Sequence, residues 1–348
     1  MYEDRIAPTR LTTAEFVKRT VIVLVVALVP VLIWFMFDVI LIVIGAILIA
    51  VLLRVVAEPF SRWGRLPQSI SLLLSGLIIV GVVAGAAYLF GTQINAEFTD
   101  VYRRASAALT AILARLQGSE IGKLLLTHIE GGGFSISGLL SSLFSVSISF
   151  LEAVVVTVIA GFYLAAQPEL YLDGLDKLFP REWRTNVNET IADIGRGLRL
   201  WLIGELIQMA LIGVLSATAV WLIGLPSPFA LGVIAGLAEF VPYLGPIIAA
   251  VPALLVATTK GGDALLWTAV AYLAINQIEG NLVVPLIQRH MVYIPPAVML
   301  LGVVAILFLF GGVSAIFAGP IAVMVFIAVK KLYVRDSLGE ETDLPGEA

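Results

Sequence analysis

Apolar, helix-forming residues on both sides enclose the stretch Ala238-Glu239-Phe240-Val241-Pro242-Tyr243-Leu244-Gly245-Pro246. Proline lacks a backbone N–H and clashes with the preceding helical turn, so a continuous helix is not expected across Pro242–Pro246. Inside a bilayer, a broken helix is tolerated only where protein or a water-filled cavity provides hydrogen-bond partners for its free backbone groups. An ionisable residue at that depth, here Glu239, marks a functional site by default. Residues 226–257 therefore predict a broken or re-entrant helical hairpin that carries the site of a membrane protein.

The composition of the whole chain also indicates a membrane protein. Of its 348 residues, 60% are hydrophobic and only 13% are charged, whereas soluble domains have about 25% charged residues. Mean hydropathy is +1.03. The expected fold class is an all-α polytopic membrane protein. The chain has no cysteine and only two histidines, so neither a disulfide nor a metal site is expected. No nucleic-acid partner is expected either.

The apolar segments predict about six full spans plus two broken or re-entrant hairpins, about eight membrane elements in all. If each broken stretch is instead two complete helices, the count rises to about ten. The second broken stretch is residues 295–329, with interruptions at Gly311–Gly312 and again at Gly319–Pro320. Its sequence repeats parts of residues 231–247, either as true internal symmetry or by the chance similarity of apolar sequence. Two similar broken elements of opposite orientation are typical of a transporter site near the bilayer midplane.

Charge and periodicity divide the chain into six predicted parts. These are an N-terminal three-span unit (1–91) whose first span is 21–37, an extracytoplasmic amphipathic helical insert (92–149), a fourth span (150–166), a cytoplasmic amphipathic segment (167–200), a transport core (201–330) and an acidic cytoplasmic tail (331–348). Basic residues beside the first, second and fifth spans place both termini in the cytoplasm, in the inner or plasma membrane of the cell.

The insert is predicted to be amphipathic because its apolar residues recur at steps of three and four, at Phe98, Val101, Ala105, Leu109, Leu113 and Leu116. Three interpretations of the insert remain open at this point. It is a helical hairpin packed on the bundle, a contact within an oligomer, or a lid over the outer mouth.

A second polar run, residues 276–281, interrupts the apolar residues 264–287, and Pro285 follows it. Glu279 in this run pairs with Glu239 as the leading site candidates. A buried carboxylate costs at least a few kcal/mol unless it is protonated, hydrated or paired, which suits a group that exchanges a proton or binds sodium. The alternative is a structural hydrogen bond that joins the broken helix.

The other candidates are polar or backbone-breaking residues near these two glutamates. The side chains of Asn276, Gln277 and Asn281 have three interpretations: they coordinate a cation, form hydrogen bonds with a polar solute, or hold neighbouring helices together. Tyr243 lines or gates the pathway, or is a packing aromatic. Glu205 is a weaker candidate because it lies close to a membrane interface in the expected topology. The full set of candidate substrate- or ion-binding residues is Glu205, Glu239, Pro242, Tyr243, Gly245, Pro246, Asn276, Gln277, Glu279 and Asn281.

Three stretches resemble the signature of the autoinducer-2 exporter family of bacterial and archaeal transporters: residues 226–246, 276–285 and 310–320. The resemblance covers the whole chain, strongly from Gly204 onward and in hydropathy alone before about Phe162. It implies secondary transport, with export of small molecules in some members, including the quorum signal, and sodium/proton exchange in others. It also implies a homo-oligomer, and the resemblance suggests a pentamer. One departure is Gly204–Glu205, where the family commonly has Gly-Gln.

Together, these features predict a secondary transporter that exports a small polar molecule, exchanges sodium for protons, or does both through intramembrane carboxylates. Its expected partners are the lipid bilayer, a small polar solute or monovalent cation, and further copies of itself. Na⁺ or H⁺ is the expected coupling ion, and no other cofactor is expected. No catalytic motif is present, so an enzyme is not expected. The alternatives are an oligomeric channel, or a scaffold that would tolerate loss of both glutamates.

Overall fold

The computed structural model describes residues 34–62, 64–118, 148–288 and 294–342, with a few isolated positions before residue 34. Every regular element in these ranges is helical, which confirms the all-α class. The helices are α1 (Phe37–Arg62), α2 (Gln68–Gln117), α3 (Ile148–Ala166), α4 (Pro168–Asp176), α5 (Arg184–Ile223), α6 (Pro228–Ala238), α7 (Gly245–Thr258), α8 (Gly262–Ile278), α9 (Val284–Gln288), α10 (Pro296–Phe310) and α11 (Ala318–Ala328). Glu279–Val283 and Val329–Arg335 are π-helical, and Gly312–Phe317 is a 3₁₀-helix.

Four helical stretches in the described ranges are long and apolar enough to cross a bilayer. They are Phe37–Arg62, Arg184–Ile223, Gly262–Ile287 and Ser314–Arg335. Helices α3 and α4 add a fifth if the pair counts as one span, although the chain bends by 85° between them. Pro168 stands at the start of α4 and accounts for the bend, because the residue before a proline avoids helical geometry. The count of about six full spans and two hairpins stays a prediction, and the first span, 21–37, lies largely outside the described residues.

Helix α2 runs without a break through residue 92, where the sequence predicted a new part of the chain. At 1.5 Å per residue its 50 residues extend about 75 Å, well beyond the thickness of a bilayer. The predicted apolar face lies on its second half, where Val101, Ala105 and Leu109 are buried against α6 and α7. This half of the insert therefore packs on the bundle. Residues 119–147 lie outside the described residues, and the boundary at 92 stays a prediction.

Two carboxylates on α2 accept hydrogen bonds from the start of α6; one of them, Asp100, accepts a bond of 3.5 Å at Oδ2 from the hydroxyl of Ser227, just before α6. Glu97 accepts a hydrogen bond of 2.9 Å from the backbone N–H of Ala230, in the first turn of α6, where N–H groups lack helical partners. Asp100 accepts from Arg104 at 2.6 Å and from Arg103 at 2.9 Å. These guanidinium groups, Arg104 foremost, hold the pKa of Asp100 below its usual range. Asp100 thus stays charged and tied to α2 as the pH falls toward that range.

The first predicted interruption is confirmed, since α6 ends at Ala238 and α7 begins only at Gly245. Between them Tyr243 has φ of 63°, a left-handed conformation that is uncommon for any residue except glycine. At Gly245 a Cβ atom would lie 2.6 Å from the carbonyl oxygen of Ala238, so a larger residue would push α7 away from the end of α6. Whether this hairpin is re-entrant stays a prediction.

The second broken stretch has one of its two predicted interruptions. Helix α10 ends at Phe310, and Gly311 has φ of 87°, so the break at Gly311–Gly312 is confirmed. The break predicted at Gly319–Pro320 is wrong, because both residues lie in the first turn of α11. A proline there removes an N–H that has no helical partner anyway. The opposite orientation of the two broken stretches stays a prediction.

The polar run at residues 276–281 lies at the end of α8, and the helical backbone continues through it. Helix α8 passes into the π-turn Glu279–Val283 and then into α9. The N–H of Val284 bonds the carbonyl of Glu279, five residues back. Pro285 would clash with the carbonyl four residues before it in a regular α-helix, and the wider turn relieves this clash. Single π-turns of this kind occur frequently at functional sites.

Glycines bring the backbones of α5 and α6 into direct contact. A Cβ atom on Gly236 would lie 2.7 Å from the carbonyl oxygen of Met209, and one on Gly232 would lie 2.7 Å from that of Gly213. Small residues four positions apart allow such close approach between membrane helices. This contact sets the register of the two helices. Glu239 follows Gly236 by three residues and Gln208 precedes Met209, so the contact brings Glu239 close to Gln208.

Candidate functional site

A cavity of about 380 Å³ lies where α5, the first break, the π-turn after α8 and the start of α10 meet. Seven of the ten predicted site residues line it: Glu205, Glu239, Pro242, Tyr243, Pro246, Asn276 and Glu279. Its remaining walls are mainly apolar and include Trp201, Ile294 and Met299. Among the described residues that line the cavity, none is basic. The cavity therefore combines three carboxyl groups with amide and apolar surface.

The side chain of Gln208 connects two of the three glutamates. Its Nε2 atom donates one hydrogen bond of 3.1 Å to Oε1 of Glu239 and another of 3.2 Å to Oε1 of Glu279. An amide nitrogen has two hydrogens, so it can serve both acceptors at once. One residue of α5 thereby joins the end of α6 to the π-turn that follows α8.

Gln208 is not among the site residues predicted from the sequence, although the sequence contains a signal for it. It follows Glu205 by three residues within an otherwise apolar run, and residues three apart share one face of a helix. A glutamate and a glutamine on the same face of a membrane helix indicate a polar surface that points toward protein or water. Only the packing of α5 shows that this surface meets Glu239 and Glu279.

Glu239 is the most deeply buried of the three carboxyl groups, with 2% of its surface exposed, and Glu205 is 8% exposed. Gln208 donates a hydrogen bond to Oε1 of Glu239, but the other carboxyl oxygen of Glu239, Oε2, is buried without a hydrogen-bond partner. A buried acceptor without a donor costs about 1–3 kcal/mol, and more when it is charged. A proton, a cation or a donor group of a solute would each stabilise this oxygen.

Tyr243 ties the first broken stretch to the second. Its hydroxyl donates a hydrogen bond of 3.1 Å to the carbonyl of Pro296, the first residue of α10. The left-handed backbone of Tyr243 directs its side chain across the cavity, and such uncommon conformations cluster at functional sites. Two interpretations of Tyr243 were open, and the structure shows a side chain that lines the cavity and bonds across it.

Trp201 on α5, in the wall of the cavity, contacts both broken stretches. The ring of Phe240 meets it edge-on with centroids 5.7 Å apart. Gly319 of α11 lies against its other side, where a Cβ atom would come within 2.6 Å of the indole ring. Helix α5 therefore contributes Trp201, Glu205 and Gln208 to one face, and this face touches both broken stretches.

Three predicted site residues lie outside the cavity. Gln277 and Asn281 are exposed and bond each other, with Asn281 Nδ2 donating to the Gln277 backbone oxygen at 2.9 Å and to its Oε1 at 3.2 Å. Four residues apart, they share the face of α8 opposite to the one that presents Asn276 and Glu279. Gly245 acts through the backbone, because it lets α7 begin against the end of α6.

Comparison with known proteins identifies relatives across nearly the whole chain. The model of a family described as AI-2E family transporter matches residues 22–335. "Putative transport protein YrrI" of Bacillus subtilis is 26% identical over 313 residues, which cover 85% of this chain and 87% of that protein. "Putative transport protein YueF" of the same organism is 23% identical over 308 residues, covering 83% and 82%. A "Putative transport protein" of Thermotoga maritima is 24% identical over 272 residues, covering 76% and 82%.

Proposed function

Because the chain belongs to the AI-2E transporter family, we propose that it is a secondary transporter whose coupling ion binds among Glu205, Glu239 and Glu279. The observation that carries this proposal is the amide of Gln208, which joins Glu239 and Glu279 across two irregular backbone segments. The coupling ion is a proton or Na⁺. The protein is thus a multi-pass membrane transporter by family, and its ion coupling is our proposal.

The arrangement suggests how ion binding and conformation are linked. Carboxylates that face one cavity of low dielectric repel each other, and a proton or cation between them offsets this repulsion. The three groups stand on α5, on the break after α6 and on the π-turn after α8. An ion that binds them draws these elements together, and its loss allows them to separate. Ion occupancy would thereby bias which side of the membrane the cavity faces.

The same cavity suits a small polar solute. Its volume of about 380 Å³ is within the range of small-molecule sites. Carboxyl and amide groups supply acceptors and donors, and Trp201, Ile294 and Met299 supply apolar surface. A compact molecule with both hydroxyl groups and apolar surface matches this lining. We propose export as the direction, and a homo-oligomer as the assembly, as the family resemblance implies.

Flux through proteoliposomes tests this proposal. We expect uptake or release of a small polar solute to be driven by an imposed proton or sodium gradient, and to stop when an ionophore removes that gradient. A panel of ions and polyhydroxy solutes, each with and without a pH gradient, identifies the pair that is coupled. Flux that follows the solute gradient alone would instead indicate a channel. Proteoliposomes that behave like empty liposomes under every gradient would indicate a scaffold.

We also propose that the protein lies in the cell membrane with both termini in the cytoplasm, and that the second half of α2 is extracytoplasmic. The chain has no native cysteine, so any thiol labelling of a single-cysteine variant comes from the introduced residue. Thr110 on α2 and Asp173 on α4 are both exposed. In intact cells, an impermeant thiol reagent should label Thr110→Cys, and it should label Asp173→Cys only after permeabilisation. The reverse pattern would contradict the topology, and the cysteine-free protein is the control.

A further inference from the structure

A second cavity, of about 510 Å³, lies between α1, α2 and α5. It shares no lining residue with the carboxyl cavity. Most of its wall is apolar and includes Val51, Val55 and Leu72. The polar part consists of three arginines, one carboxylate and three uncharged side chains, namely Arg54, Arg196, Arg199, Glu58, Ser61, Gln68 and Ser71. A cavity that joins an apolar wall to several guanidinium groups is suited to a ligand with an anionic end and a hydrocarbon end.

The arginines keep donor groups that their partners in the protein do not use. Arg54 donates through Nε and Nη2 to the carbonyl of Ala165, at 3.4 and 3.2 Å. Arg196 pairs with Asp193, and Arg199 pairs with Glu58. Each guanidinium has five N–H groups, so these contacts leave several of them able to bind an anion.

The charges around this cavity also favour an anion. Glu58 pairs with Arg62 at 3.1 Å in addition to Arg199, so one carboxylate faces two arginines. Asp193 is buried and pairs with Arg196, whereas Arg54 meets only a backbone carbonyl among the contacts described. Around this cavity, four arginines face two carboxylates, and the excess charge is positive.

The position of the arginines places this cavity near a membrane surface. On α1 the apolar run ends at Arg54, and on α5 Arg196 and Arg199 come just before Trp201 and the apolar run that follows it. Basic and aromatic residues of this kind flank membrane spans at the depth of the lipid headgroups. The apolar wall therefore faces the hydrocarbon region, and the guanidinium groups lie at headgroup depth.

We propose that this cavity binds the phosphate group of an anionic phospholipid. The phosphate lies among Arg54, Arg196 and Arg199, because planar guanidinium groups bind phosphate oxygens in pairs. The first acyl carbons lie against Val51, Val55 and Leu72. Basic pockets between membrane helices are sites of this chemistry. The proposal requires only that the protein lies in a membrane, so it does not depend on the transport function proposed above.

Thermal unfolding of the full-length protein in detergent micelles tests this site. We expect phosphatidylglycerol to raise the melting temperature in a saturable way. Phosphatidylcholine with the same acyl chains should raise it far less, and inorganic phosphate or glycerol phosphate should not raise it. An equal effect of inorganic phosphate would overturn the lipid assignment in favour of a small-anion site. Equal effects of the two lipids would overturn the role of the arginines.

A double variant and a matched control separate the site from general electrostatics. In Arg54→Gln/Arg199→Gln, the concentration of phosphatidylglycerol needed for half of the effect should rise about tenfold. Glutamine at 54 keeps a donor for Ala165, and Glu58 keeps Arg62. The control, Arg103→Gln/Arg181→Gln, removes the same charge elsewhere and should respond like the wild type. A double variant that responds like this control would contradict the proposal.

Native mass spectrometry of the wild-type protein gives an independent readout should the double variant fold poorly. In an equimolar mixture of phosphatidylglycerol and phosphatidylcholine, the protein should retain the anionic lipid preferentially, with a defined number bound per chain. Retention of both lipids in equal amounts would overturn the proposal without any substitution.

Discussion

The Glu239→Gln protein is expected to fold and assemble like the wild type and to lose ion-coupled transport, with flux falling to the level of empty liposomes. Glutamine keeps the volume of glutamate, and its side-chain oxygen can still accept the hydrogen bond from Gln208. It can carry neither a charge nor an exchangeable acidic proton. Glu239 is 2% exposed, so water cannot readily take over its role. The measurement is solute flux in proteoliposomes under a proton or sodium gradient, with thermal unfolding to verify folding.

The same substitution at the other two glutamates provides matched comparisons within one cavity. Glu279→Gln should also abolish coupled flux or shift its dependence on pH, because Glu279 shares the amide of Gln208 with Glu239. Glu205→Gln should leave transport largely intact, because it introduces the residue that is common in the family this chain resembles. If the Glu239→Gln and Glu279→Gln proteins both transport at wild-type rates with unchanged pH dependence, the carboxyl groups are structural and the proposed coupling is wrong.

The Gln208→Leu protein is expected to lose most of its coupled flux and about 2 kcal/mol of stability. Leucine fills a similar space but donates no hydrogen bond, so Oε1 of Glu239 and Oε1 of Glu279 both lose their donor. Leaving a buried acceptor without a donor costs more than the hydrogen bond itself contributes. Thermal unfolding measures the loss of stability, and proteoliposome flux measures the loss of transport.

Gln277→Leu is the matched control, because it makes the same change two residues from Glu279 but outside the cavity. Gln277 is exposed and bonds Asn281 on its own helix. Its replacement should cost only a few tenths of a kcal/mol, typical of an exposed pair on a helix, and should leave flux unchanged. A Gln208→Leu protein that is as active and as stable as Gln277→Leu would show that the bridge between the two glutamates has no role.

Helix α5 connects every part of the molecule on which these predictions depend. Its first half carries two of the three arginines of the proposed lipid site, its middle carries Trp201, Glu205 and Gln208, and its later turns pack on the glycines of α6. Arg199 precedes Glu205 by six residues, less than two helical turns. A lipid bound at Arg199 would therefore restrain the helix that carries Glu205 and Gln208.

The fold class and two of the helix breaks could be predicted from the sequence alone, because they depend on composition and on residues that act within their own helical turn. The scarcity of charge and the long apolar runs identify a helical membrane protein. The breaks at Pro242–Pro246 and Gly311–Gly312 follow from residues that disturb their own helical turn, so they needed no tertiary information. The same local reasoning failed at Gly319–Pro320, because these residues fall in the first turn of α11, where a proline removes an N–H that has no helical partner.

Which of the polar residues lie together around one cavity could not be predicted from the sequence, because it depends on how the helices pack. The contact of Gly232 and Gly236 with α5 sets the register that brings Glu239 to Gln208. The orientation of α8 about its own axis places Asn276 and Glu279 in the wall of the cavity, whereas Gln277 and Asn281 are exposed outside it. Register and rotation depend on contacts between residues far apart in the chain. The pattern of residues along one helix shows which side chains share a face, but it does not show which neighbouring helix that face will meet.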